Sequence, residues 1–174
     1  MQRVLILGCS GAGKSTLSCR LARLTGLPRI EMDREFWRPG WVQTPREEWE
    51  PKLAALCEHP AWIMDGNYSH TLHLRLPRAD TAIYLDYPRQ LCLWRVFGRI
   101  AGDYGRVRNG MAEGCPERLD LEFLHYIWNF NDRSRPKILA ALATHGSHVR
   151  LHWLKSDRDA EKLLAELSAP CAAI

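Results

Sequence analysis

One string of residues, Gly8-Cys9-Ser10-Gly11-Ala12-Gly13-Lys14-Ser15, narrows the folds open to this chain more than anything else in it. It satisfies G-x-x-x-x-G-K-[ST] in full, and it stands between an apolar run, Val4 to Leu7, and a helical pattern from Lys14 to about Leu24. Strand, glycine loop and helix in that order build a phosphate cradle. The glycines let the backbone curl until successive N–H groups converge, and the helix start adds its positive dipole end. The residues expected to hold a nucleotide's phosphates are Gly8, Ser10, Gly11, Ala12, Gly13, Lys14, Ser15 and Thr16. Lys14 is placed to reach the β- and γ-phosphates of ATP, and the Ser15 hydroxyl to ligate Mg²⁺.

Beyond this loop the chain alternates strand and helix patterns. Short strands are expected at Arg29 to Asp33, Trp62 to Met64, Thr81 to Leu85 and His148 to Leu154. Helices are expected from a capping box at Thr44-Pro45-Arg46-Glu47 to about Glu58, and over Arg89 to Ala101, Glu117 to Asn129, Pro136 to Thr144 and Arg158 to Leu167. The glycine- and arginine-rich segment Gly102 to Pro116 reads as a mobile loop. The pattern predicts an α/β fold with a parallel sheet, in one domain covering residues 1–174.

Parallel strands end on one edge of their sheet, so Asp33, Asp65 and Asp86 are expected beside the cradle. Asp65 closes an apolar strand as a magnesium-holding acid does, with Asp86 in reserve; Asp33 is placed to take a proton from an attacking hydroxyl or to orient the acceptor. Phosphoryl transfer also needs cations over the transferred group, and Arg95, Arg99, Arg106, Arg108, Arg133 and Arg135 are the candidates. The catalytic set read from the sequence is Lys14, Asp33, Arg99, Arg133 and Arg135, with Ser15 and Asp65 at the metal. Phe36, Trp37, Trp41 and Trp49 offer an aromatic wall to an acceptor ring, although Trp49 suits core packing better. Lys155-Ser156-Asp157 lacks the Asn of a guanine-reading signature, Leu154 standing there, which favours adenine.

Composition removes several classes. The longest apolar runs fall far short of the roughly 20 residues of a membrane span, and the start lacks the apolar core of a signal peptide, so a cytoplasmic location is expected. The six cysteines form no C-x-x-C pair, and His70 with His73 and His145 with His148, each three apart, have no Cys or carboxylate at ligand spacing. A net charge of +4 suits anionic ligands and falls short of a nucleic-acid signature.

Longer strings carry a resemblance. Met32-Asp33 to Trp37, Pro39-Gly40-Trp41, Thr44 to Trp49, Asp65-Gly66-Asn67-Tyr68, Leu91 to Arg95, Met111 to Pro116 and Trp128-Asn129-Phe130 to Pro136 resemble the bacterial DNA topology modulation proteins, an adenylate-kinase-like family of P-loop kinases. More broadly the chain is similar to nucleoside-monophosphate and shikimate kinases. The resemblance implies a three-layer P-loop NTPase sandwich with a five-stranded parallel sheet of order 2-3-1-4-5. It also implies an acceptor-binding region at about residues 34–60 and a lid at about 102–116. The chain departs from adenylate kinases at Asn67-Tyr68, where their Phe-Pro-Arg is missing, so AMP is not carried over as acceptor; Glu35 stands where shikimate kinases have a second Asp. Two readings follow: a kinase moving the γ-phosphate of ATP to a small acceptor, such as a nucleotide or nucleoside, and an ATP-dependent regulatory protein acting on DNA topology.

Overall fold

A computed structural model describes residues 1–168 of the chain; Cys171 lies outside them. Strand β1 (Arg3–Gly8) is wholly apolar from Val4 to Leu7, and these four side chains have no solvent exposure. A strand that apolar on both faces must lie at the centre of a sheet covered on both sides by helices. It does: β1 pairs in parallel with β5 (Trp62–Asp65) on one side and β6 (Thr81–Leu85) on the other. Strand β2 (Arg29–Glu31) extends the sheet beyond β5, and β7 (Arg150–Leu154) extends it beyond β6. Counted by their order in the chain, the five sheet strands run 2-3-1-4-5.

The covering helices are α1 (Lys14–Thr25), α3 (Arg46–Cys57), α4 (Leu72–Arg75), α5 (Arg89–Asp103), α6 (Leu121–Trp128), α7 (Phe130–Arg133), α8 (Arg135–His145) and α9 (Asp157–Ser168), with the short α2 (Met32–Phe36) following β2 directly. Each buries an apolar stripe. Leu17 and Leu21 of α1, Trp49 and Leu53 of α3, and Cys92, Val96 and Ile100 of α5 face the sheet core. An antiparallel ribbon, β3 (Trp37–Arg38) with β4 (Val42–Gln43), projects between α2 and α3. Among the described residues no helix is long and apolar enough to cross a membrane.

Four expectations need correcting. The second strand stops at Glu31, because Met32 and Phe36, four residues apart, both bury as the inner face of α2. The capping box does not form: Thr44 turns its hydroxyl to the Phe36 carbonyl instead, and Pro45 occupies the cap with no side-chain bond. The helix expected from Glu117 starts at Leu121, where the Asp120 carboxylate accepts from the Phe123 N–H at 3.0 Å, and Glu117 turns inward. The last strand begins at Arg150 rather than His148.

The expected lid is docked. Gly40 donates its N–H to the Gly114 carbonyl at 2.9 Å, the Trp41 indole donates to the Pro116 carbonyl at 3.0 Å, and the Cys115 thiol donates to the Arg38 carbonyl at 3.1 Å. Met111, Ala112 and Cys115 form a small apolar core of their own against Trp37 and Trp41.

Candidate active site

The glycine loop needs its glycines for a steric reason. Gly11 has φ 85°, and a Cβ there would stand 2.3 Å from the Cys92 carbonyl oxygen of α5. Real Cβ atoms do not approach that close, so only glycine lets the loop pass under α5. Helix α1 then opens from Gly13 with no side chain capping it and no acid in its first turn, which leaves its amides and dipole available to an anion. Lys14 folds back over the loop, its Nζ donating to the Gly8 and Cys9 carbonyls at 3.0 Å each. Burial pushes the Lys14 ammonium below its usual range, while the charges of Asp33 and Asp65 oppose that shift.

A second turn holds the loop from behind. The Gly8 N–H donates to Asn67 Oδ1 at 2.9 Å, and Asn67 Nδ2 donates to the Gly8 carbonyl at 2.6 Å, so one amide side chain grips both sides of one residue. Asn67 is held in turn by Arg75, which is fully buried and donates to the carbonyls of Gly66 (2.9 Å), Asn67 and Tyr68 (3.2 Å). This grip stabilises Tyr68 in a left-handed conformation, φ 35°, that non-glycine residues seldom adopt. Desolvation lowers the Arg75 guanidinium to about 10, within the range where it stays charged at neutral pH.

Tyr68 carries the clamp to the other half of the cleft. Its phenol, kept protonated by burial and by the neighbouring Asp33 charge, donates to Asp33 Oδ1 at 2.7 Å. Asp33 Oδ2 faces Arg108 at 3.4 Å. Arg99 pairs with Glu117 at 2.8 Å, and Arg108 reaches the other Glu117 oxygen at 3.4 Å. Glu117 is only 5% exposed, so one buried carboxylate bridges an arginine of α5 and one from the segment 102–116. Burial, then the charge of Arg108, lowers the Arg99 guanidinium.

Asp65, also buried, accepts from the Ser18 hydroxyl at 2.8 Å and faces the cleft beside Ser15. A carboxylate and a hydroxyl are hard oxygen donors of the kind Mg²⁺ takes alongside phosphate oxygens and water. The two residues therefore fit that ion.

All of this lines one cleft of about 840 Å³. Ser10, Gly11, Gly13, Lys14, Ser15, Thr16, Asp33, Asp65 and Arg99 border it, while Gly8 and Ala12 sit behind its wall. Arg133 is exposed and does not border it. Arg135 also lies off the cleft wall: it makes a forked pair with Asp86, at 3.1 and 3.0 Å, and Trp153 donates to the same carboxylate at 3.1 Å. That engagement takes Asp86 away from any magnesium site. Trp49 is fully buried in the core, packed on Phe36 and Tyr68, whereas Trp37 and Trp41 face the cleft. Asn67, Arg75 and Glu117 were not among the expected site residues. The Asp65-Gly66-Asn67-Tyr68 string pointed toward the first, but nothing local distinguishes Arg75 or Glu117.

Comparison with protein-family models and with curated proteins finds no match. Among solved structures the chain is similar to a shikimate kinase from Bacteroides thetaiotaomicron (17% identity, 95% of each chain covered, TM-score 0.56). It is also similar to an unliganded sugar kinase from Janibacter sp. HTCC2649 (20% identity, 100% of this chain and 99% of that chain, TM-score 0.54). A gluconokinase from Sinorhizobium meliloti 1021 matches as well (18% identity, 96% and 93% covered, TM-score 0.52). This is a P-loop kinase fold. The five-stranded parallel sheet with helices on both faces belongs to that fold.

Proposed function

We propose that the chain is an ATP- and Mg²⁺-dependent kinase that moves the γ-phosphate onto a small acceptor. The observation that carries this reading is a single cleft in which the open end of α1 and Lys14 face Asp33 and the Arg99–Glu117–Arg108 bridge. Loop amides and Lys14 bind the triphosphate; Ser15 and Asp65 would hold Mg²⁺, which neutralises charge on the phosphate oxygens. The carboxylate of Asp33, oriented by Tyr68, accepts the acceptor's hydroxyl proton. Once protonated, Asp33 no longer balances Arg108, so positive charge becomes available at the moment the phosphoryl group moves. Closure of the lid side over the cleft excludes water that would otherwise hydrolyse ATP.

The second reading, a regulatory protein acting on DNA, rested on a modest basic excess and on the arginines. Arg99, Arg108 and Arg135 are engaged with carboxylates and give it no separate support. The kinase reading is tested by incubating the protein with ATP, Mg²⁺ and a metabolite mixture and scoring ADP release above basal hydrolysis. Lys14→Ala is expected to nearly abolish acceptor-dependent release; an unchanged rate removes the assignment.

A further inference from the structure

Resting on the kinase reading, we propose that the acceptor is an uncharged alcohol with a flat or apolar ring face, the chemistry shared by nucleosides and unionised sugars, and that anionic acceptors are disfavoured. The segment that reaches over the acceptor half, residues 34–60, contributes Phe36, Trp37, Trp41 and Gln43 to the cleft, and among the described residues nothing charged. Its cations are committed elsewhere. Arg38 pairs with Glu48, Arg46 with Glu50 at 2.6 Å, and Lys52 with Glu35 at 2.8 Å. The exception is Arg34, exposed and, among the described residues, without an ion pair, which lines not the cleft itself but an adjoining groove that shares Trp37 and Arg108 with it.

The cations on the opposite wall are balanced as well. Arg99 and Arg108 share Glu117, and Arg108 also faces Asp33. Arg118 pairs with Asp120 at 3.2 Å. Drawing Arg99 or Arg108 onto an acceptor phosphate or carboxylate would leave the buried Glu117 with one cation in place of two, a cost for a desolvated charge. Their role toward the transferred phosphoryl group is different, since protonation of Asp33 supplies the needed imbalance only during transfer. His70, at the rim, is lowered by its surroundings, so its imidazole adds no positive charge at neutral pH.

What the acceptor half does offer is aromatic surface. Trp37 and Trp41 meet edge to face with centroids 5.5 Å apart, and Phe36 and Tyr68 continue the wall at 4.7 Å. Nucleobases stack on indole, and the C–H face of a pyranose packs on it in the same way. Gln43 supplies a neutral amide, with an NH2 that donates and a carbonyl oxygen that accepts, for ring substituents. In the reaction the acceptor hydroxyl oxygen bonds to the γ-phosphorus and the bond from that phosphorus to the bridging oxygen breaks. ADP leaves with the electron pair, and the hydroxyl proton passes to Asp33.

The test uses matched pairs of probes with the full chain, ATP and Mg²⁺: nucleosides against their 5′-monophosphates, and aldoses against their aldonic acids. MgATP binding is measured first by calorimetry. The expected result is that, in at least one pair, the uncharged member supports ADP release with kcat/KM at least tenfold above its anionic counterpart. The nucleoside and aldose arms then distinguish the two sources of the ring. Gln43→Arg, which adds a cation to the neutral arm, is expected to shift the ratio at least tenfold toward the anionic member. A preference for the anion in wild type overturns the proposal, and so does MgATP binding with no turnover of any uncharged probe, which leaves the kinase reading standing. Absence of MgATP binding overturns both.

Discussion

Asn67 makes the glycine loop depend on one side chain of the neighbouring turn, and Asn67→Leu is the substitution that isolates this. Leucine keeps the branched outline, though it is bulkier, and removes both hydrogen bonds to Gly8, at 2.9 and 2.6 Å. A net hydrogen bond contributes about 1 kcal/mol, and a buried N–H left without a partner costs about 1–3 kcal/mol. Gly8 is buried and its N–H would lose its partner, while its carbonyl keeps the Lys14 ammonium. The expected loss of stability is therefore about 2–3 kcal/mol, or on the order of 5–10 °C in Tm for a chain of this size. Urea unfolding should show a lower midpoint with an unchanged slope. Calorimetry should show weakened MgATP binding, because the Gly8 backbone, at φ 142°, is no longer held in the orientation the cradle needs. Asn67→Asp separates grip from packing: it still accepts from Gly8 but places a negative charge beside the phosphates, so affinity should fall more than stability. A leucine variant with wild-type midpoint and wild-type MgATP affinity refutes the clamp.

Gly11→Ala should abolish MgATP binding, checked by calorimetry, since its Cβ would collide with the Cys92 carbonyl. Glu117→Gln leaves two arginines short of a counter-charge and should cost about 2–3 kcal/mol in urea unfolding, less than a fully buried pair because both arginines are partly exposed. Arg99→Ala should lower kcat far more than it raises KM for ATP, whereas Arg135→Ala, which breaks the Asp86 fork, should lower stability by about 1 kcal/mol and leave kcat within a few-fold; a collapse of kcat in the latter returns Arg135 to the catalytic set. Burial, then Arg150, lowers the His152 imidazole, so the unfolded chain takes up its proton first as pH falls through about 6.5. Stability should therefore decline from pH 7 downward until the folded-state value is passed, and His152→Gln should flatten that slope in urea titrations.

The sheet was legible because a doubly covered parallel strand writes itself as an unbroken apolar run, as Val4 to Leu7 and Thr81 to Leu85 do. The cradle was legible because its chemistry is contiguous. What escaped is chemistry set by three-dimensional packing, which the neighbouring residues do not reveal. Arg75 reads as an ordinary cation in a leucine-rich stretch, and its burial is set by the three carbonyls of a turn packed against it. Glu117 looked like the first residue of a helix, but pairing with Arg99, 18 positions away, outweighs its helical preference. Arg135 and Asp86 are 49 residues apart, and nothing in either neighbourhood announces the other. The α2 segment is the intermediate case: burial of Met32 and Phe36 at helical spacing was visible, yet five residues are too few for propensity to outvote a strand pattern.

The docking of residues 111–116 onto the β3–β4 ribbon has a kinetic corollary. With Trp41, Cys115 and Gly40 stitching the two pieces together, the expected lid and ribbon are tied to each other, and on the kinase reading they should open and close over the cleft as a unit. A cleft that must hold both partners together under one closed unit should give sequential, not ping-pong, initial-rate patterns.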